Sequence, residues 1–183
     1  MLHVLTGSAK GKKLKVPKGF SVRPTAARMK KSIFDTLCDI EGLSVLDLFA
    51  GTGTLGIEAL SRGAGYAVFV EKSRSVFRLL RENVVSCGFA HGSRLICCDY
   101  KVAVERLKRS GESFDLIFVD PPYPLYGSVG ASDLVALAVT VLKEDGVIVI
   151  KHTMPFNEIP EGFHKVTKYF GDTLVSFVKR GGA

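Results

Sequence analysis

The stretch Val45-Leu46-Asp47-Leu48-Phe49-Ala50-Gly51-Thr52-Gly53-Thr54-Leu55-Gly56 constrains the fold most tightly. It reads as an apolar strand over residues 45–49, a glycine turn, and a helix over 55–61 that stops at Gly63. Gly51, Gly53 and Gly56 have the G-x-G-x-x-G spacing, in which missing side chains let backbone approach a ligand. The alternation then continues. Strands are expected at 66–70, 94–98, 114–119 and 147–151, and helices from a Ser73 cap to Cys87, at 102–108 and at 131–142. Strands separated by helices imply a parallel sheet covered on both faces. Residues 163–170 and 173–179 break the rhythm, because only Gly171-Asp172 joins them. A link that short permits an antiparallel hairpin and forbids a parallel crossover. The expected fold is α/β, a mostly parallel seven-stranded sheet with a C-terminal antiparallel hairpin.

A basic segment precedes this unit. Residues 1–34 hold nine Lys or Arg and no Asp or Glu, whereas the rest holds 16 basic and 18 acidic residues. The net charge of +7 therefore resides entirely at the front, where it suits a polyanion. Residues 2–6 and 13–16 read as strands of a small hairpin, linked by the turn-rich Gly7-Ser8-Ala9-Lys10-Gly11-Lys12. Pro17, Gly19 and Pro24 then break structure. Thr25 stands as N-cap of a helix over 26–37, with Ile33, Phe34 and Leu37 apolar and Arg28, Lys30 and Lys31 polar. The expected division is a basic extension over 1–42, a β-hairpin and helix, and a main domain over 43–183. No apolar run approaches the ~20 residues of a membrane span, and the N-terminus lacks signal-peptide character. Cys38, Cys87, Cys97 and Cys98 form no metal-binding spacing, so free thiols in a cytoplasmic protein are expected and no metal.

Ligands of open parallel sheets bind beyond the strands' carboxyl ends. Four such ends carry acids: Asp47, Glu71, Asp99 and Asp120. Asp47 would repel a pyrophosphate, which disfavours NAD, and would attract the ammonium and sulfonium of S-adenosylmethionine. A cap for the glycine loop is its other reading, and both roles can coexist. Glu71, 18 residues past Gly53, has the place of a ribose-diol acceptor. Asp99, with Tyr100 beside it, either takes an adenine amine or caps the next helix. Asp120-Pro121-Pro122-Tyr123 is the second strong signal. An exocyclic base amine is a poor nucleophile because its lone pair is delocalised into the ring. The Asp120 carboxylate and the Pro121 carbonyl, in a loop stiffened by proline, can hold both amine hydrogens out of plane, and Tyr123 offers a face for a flipped base. Methyl transfer by direct displacement then depends on positioning and charge. Arg74, Arg78 and Arg81 repeat at helical spacing and read as a solvated face, with contact to RNA as the alternative.

The glycine motif followed by D-P-P-Y resembles amino-methyltransferases acting on nucleic-acid bases. The front segments 7–14, 23–28 and 33–37 narrow the resemblance to the RsmD family, whose members methylate a guanine N2 in small-subunit (16S) ribosomal RNA. That resemblance implies a class I methyltransferase fold and S-adenosylmethionine as cofactor. It places Asp47, Phe49, Gly51, Thr52 and Gly53 at the methionine part, Glu71 at the ribose, and Asp99 and Tyr100 at the adenine end. Asp120, Pro121, Pro122 and Tyr123 would hold the guanine, with Tyr126 as a rival for the stacking role. Lys10, Lys12, Lys13, Arg23 and Arg28 would face 16S rRNA in the subunit or an assembly intermediate, the enzyme acting as a monomer. An adenine-N6 enzyme fits the same motif but has little chain to spare for a target-reading domain. A basic RNA-binding protein with a vestigial site is disfavoured by the intact acids and glycines.

Overall fold

The structure, a computed structural model, describes residues 2–19, 24–122, 125 and 128–181. Five strands run parallel: β1 (Ser44–Asp47), β2 (Tyr66–Val70), β3 (Ser93–Ile96), β4 (Phe114–Val119) and β5 (Leu142–His152). The pair β6 (Phe163–Phe170) and β7 (Thr173–Arg180) is antiparallel, and β7 runs antiparallel to β5. The sheet order is β3-β2-β1-β4-β5-β7-β6, so the expected seven strands and closing hairpin are present. The helices are α1 (Pro24–Leu37), α2 (Thr54–Ser61), α3 (Arg74–Ser86), α4 (Tyr100–Arg109) and α5 (Ala131–Val139).

Each face of the sheet has its own core. Ile33, Phe34, Ile57, Leu80 and Val84 from α1, α2 and α3 pack with Phe69, Phe118, Val149 and Phe177. On the other face, Val104, Leu107, Leu134 and Ala138 from α4 and α5 pack with Val68, Ile117, Ile148 and Val178. Neighbouring strand residues thus serve opposite faces, which is why the strands read as continuous apolar runs. Each such side chain, fully buried, contributes about 1.5–3 kcal/mol.

The front of the chain departs from expectation. The two anticipated strands meet at a single bridge, His3 to Lys13, flanked by Val4 N–H to the Lys12 carbonyl (3.0 Å) and Leu14 N–H to the Leu2 carbonyl (2.9 Å). Other backbone donors of this ribbon turn to α2 instead. Leu5 and Thr6 N–H donate to the two Glu58 oxygens (2.8 and 3.0 Å), Ser8 N–H to the Ser61 carbonyl (2.8 Å) and Ala9 N–H to Ser61 Oγ (2.9 Å). Gly7 permits this approach: its φ is +83°, and a Cβ there would lie 1.6 Å from the Ser61 carbonyl oxygen. Val4, Ala9 and Leu14 join the first core. Lys30, expected on a polar face, is only 3% exposed. Its ammonium pairs with Glu58 (2.8 Å) and donates to the His3 carbonyl (2.9 Å), while Glu58 also holds Arg62 (3.1 Å). Burial pushes the Lys30 pKa down and Glu58 opposes that shift. α1 begins at Pro24, ahead of the expected Thr25 cap; a first-turn proline loses no intrahelical hydrogen bond.

Candidate active site

β1 carries Asp47 to the carboxyl edge, where the chain turns through Leu48-Phe49-Ala50 into the glycines. Gly53 precedes α2 at φ +90° and has no side chain with which to cap it. Asp47 supplies the cap: its Oδ2 accepts from Gly56 N–H, the third residue of α2 (3.1 Å). Gly56 lets helix and strand close together, since a Cβ there would come within 2.3 Å of the Phe69 ring. A Cβ at Gly51 would meet nothing within 4 Å, so that side of the loop is open. Glu71, just beyond β2, holds the loop by accepting from Gly51 N–H (2.9 Å) and Ser73 N–H (2.7 Å). Each carboxylate oxygen retains a second lone pair for a ligand.

Asp47 is 1% exposed. Burial pushes its pKa up to about 7, the charges of Asp120 and Glu71 add to the rise, and the Gly56 and Phe49 N–H groups oppose it. Three of the four strand-end acids therefore share one electrostatic field. The fourth, Asp99, is tied otherwise: it caps α4 through Lys101 N–H (3.0 Å) and pairs with Lys72 (3.0 Å). Burial works to raise its pKa, but Lys72 and the Lys101 N–H outweigh that and hold the carboxyl below the usual range. Tyr100 opens α4 rather than ending a strand. Its ring lies 4.8 Å from that of Phe49, and its buried hydroxyl has no hydrogen-bond partner among the described residues.

Asp120 follows β4 directly. Lys151, on neighbouring β5, places its ammonium 2.5 Å from Asp120 Oδ1. Pro121 is buried and Pro122 exposed. The Pro122 carbonyl accepts from Leu125 N–H (2.9 Å), and no N–H among the described residues donates to that of Pro121. Tyr123 and Tyr126 lie outside the described residues, as does Arg23. Thr52 stays partly exposed, and its carbonyl accepts from Asn83 (2.9 Å). Lys10, Lys12 and Lys13 project from the ribbon into solvent. Arg28 is exposed on α1 and lines a cavity of about 520 Å³ with Lys31, Asp35 and Arg62.

Residues 2–179 match the family described as Conserved hypothetical protein 95, the RsmD proteins. The chain belongs to the RsmD family. It is 35% identical to YlbH of Bacillus subtilis, a protein provisionally named an rRNA methyltransferase, over 99% of this chain and 100% of YlbH. It is also 35% identical to the ribosomal RNA small subunit methyltransferase D of Escherichia coli, over 67% of this chain and 60% of that enzyme. Among solved structures, a hypothetical protein of Thermus thermophilus superposes with a TM-score of 0.81 at 31% identity, covering 98% of this chain and 99% of that one.

In this RsmD-family chain the acids were legible in the sequence, whereas Lys151, which holds Asp120, and Asn83, which holds the glycine loop at Thr52, were not. Lys151 was visible only as the charge ending the apolar run 147–150, on the same sheet edge as the acids. Asn83, 1% exposed, gave no signal within its helix.

Proposed function

We propose that this chain transfers a methyl group from S-adenosylmethionine to the exocyclic N2 of a guanine in small-subunit (16S) ribosomal RNA. The observation that carries the reading is the convergence of Asp47, Glu71 and Asp120 in one field, beside a glycine loop with an open side. A crevice this acidic favours a cationic nucleoside over a dinucleotide. The rRNA methyltransferase names of YlbH and of the Escherichia coli enzyme support the choice of RNA.

S-adenosylmethionine supplies an electrophilic methyl on a sulfonium. Asp47, Phe49, Gly51, Thr52 and Gly53 hold its methionine part, Glu71 the ribose hydroxyls, and Asp99 with Tyr100 the adenine end. Asp120 Oδ2 and the Pro121 carbonyl accept the two hydrogens of the guanine amine, leaving its lone pair directed out of the ring plane. Lys151 occupies the other Asp120 oxygen and thereby fixes which one faces the base. Pro122 stiffens the loop, and Tyr123 or Tyr126 stacks on the extruded guanine, a contact worth about 1–3 kcal/mol. The subunit or an assembly intermediate is the substrate, and the enzyme acts as a monomer. Lys10, Lys12, Lys13, Arg23 and Arg28 approach its phosphates.

Incubation with methyl-labelled cofactor and small ribosomal subunits, followed by digestion to nucleosides, tests this reading. Label is expected in N2-methylguanosine. Label confined to N6-methyladenosine, or none in the RNA, would overturn it.

A further inference from the structure

We infer that Arg74, Arg78 and Arg81 on α3 form a second phosphate-contacting track, separate from the ribbon lysines, along which ribosomal RNA lies as it enters the crevice. The inference rests on the RNA substrate proposed above. All three side chains are exposed and, at i, i+4 and i+7, share one helix face. They rise along the axis in steps of about 6 and about 4.5 Å.

Their placement runs against the local electrostatics of the helix. Arg74 occupies the first turn, where the positive end of the helix dipole disfavours a cation, and no acid stands in that turn. Like charges three and four residues apart repel. Three exposed basic residues of α4, Arg106, Lys108 and Arg109, sit in its last turn, where the dipole favours them. Several exposed bases elsewhere have carboxylate partners, as in Lys31–Asp35, Lys15–Glu82, Lys72–Asp99 and Arg109–Glu105. Among the described residues no acid pairs with Arg74, Arg78 or Arg81. An arrangement that costs stability locally and lacks internal compensation is what an external polyanion would compensate.

The track has both ends defined. Lys15 is fastened to the C-terminal half of α3 by reciprocal hydrogen bonds with Asn83 (2.8 and 3.0 Å), and the Lys12 charge is felt at Cys87, which ends the helix. At its other end α3 starts just after Ser73, whose N–H is held by Glu71. The arginine face thus spans α3 from the rim of the cofactor crevice towards the ribbon, with Glu82, paired to Lys15, on the flank between the two.

The test compares the wild-type chain with Arg74→Gln/Arg78→Gln/Arg81→Gln and with Arg106→Gln/Lys108→Gln/Arg109→Gln, which removes the same charge from α4. Binding of 16S rRNA in small ribosomal subunits is measured against salt, with cofactor affinity as the check that each variant is folded. The α3 variant is expected to lower the slope of log K against log salt by about two to three units and to raise KM for RNA. The α4 variant is expected to keep the wild-type slope. An unchanged slope in the α3 variant, or an equal loss in the α4 variant, overturns the track. Wild-type chain that binds rRNA without methylating it overturns the proposed function and leaves the track to be scored on its slopes; wild-type chain that does not bind rRNA overturns both.

Discussion

Asp47 combines two duties that a surface carboxylate could not. It caps α2 from within the core, and burial leaves it with a pKa of about 7 against an unfolded value near 3.8. The folded chain therefore keeps a proton there that the unfolded chain has released. This contribution to stability is fully present below about pH 4 and is lost as pH rises through about 7. A cation beside the carboxylate favours its ionised form, so under the proposed role of Asp47 cofactor binding would expel the proton. Cofactor affinity should rise by up to about tenfold per pH unit below about 7 and level off above it. Calorimetric titration across that range measures the rise; a flat wild-type profile would refute the coupling, and Asp47→Asn should flatten it. The role proposed for Lys151 is orientation instead. Lys151→Met should lower kcat by up to about a hundredfold while sparing cofactor affinity, and Lys151→Arg should restore most of the rate. An undiminished kcat in Lys151→Met would remove the residue from the mechanism.

At the scale of elements, Glu58 decides how the front of the chain is built. It accepts two ribbon N–H groups and balances Lys30 and Arg62 while fully buried. Glu58→Ala should cost about 3–5 kcal/mol in urea denaturation, because it leaves the Lys30 charge buried without its counterion. A loss below about 1 kcal/mol would mean that Lys30 reaches solvent when the pair is broken. The same residue explains what the sequence concealed. Alternation suggested a hairpin over residues 2–16, but hydrogen bonds that would have zipped it go to a carboxylate more than 50 residues away. Lys30 looked solvated because nothing local announces a buried acid on another helix. At α5 the apolar run 131–142 hid a boundary: the helix stops at Val139, and Leu142 already pairs with Phe114. Residues 143–146, which lie between the expected helix and strand, instead continue β5 across a register shift. By contrast β2, β4 and β6 fell where expected, their limits being set by glycines, charges and apolar runs within the segment itself.

Across the whole molecule, the alternating elements and the two-residue link after β6 were enough to foresee the sheet, because chain connectivity leaves few alternatives. The meeting of three acids also followed from topology, since parallel strands end on one edge. The partner held by each acid did not follow, because Lys72 and Lys151 reach Asp99 and Asp120 from other segments. Asn83 lies at the junction of these parts. Its amide donates both to the Lys15 carbonyl of the ribbon (3.0 Å) and to the Thr52 carbonyl of the glycine loop (2.9 Å). One side chain thus tethers the ribbon, proposed to face RNA, to the glycine loop, proposed to face the cofactor. Order imposed on either is transmitted to the other, and by thermodynamic reciprocity whatever factor RNA adds to cofactor affinity, cofactor adds to the grip on RNA.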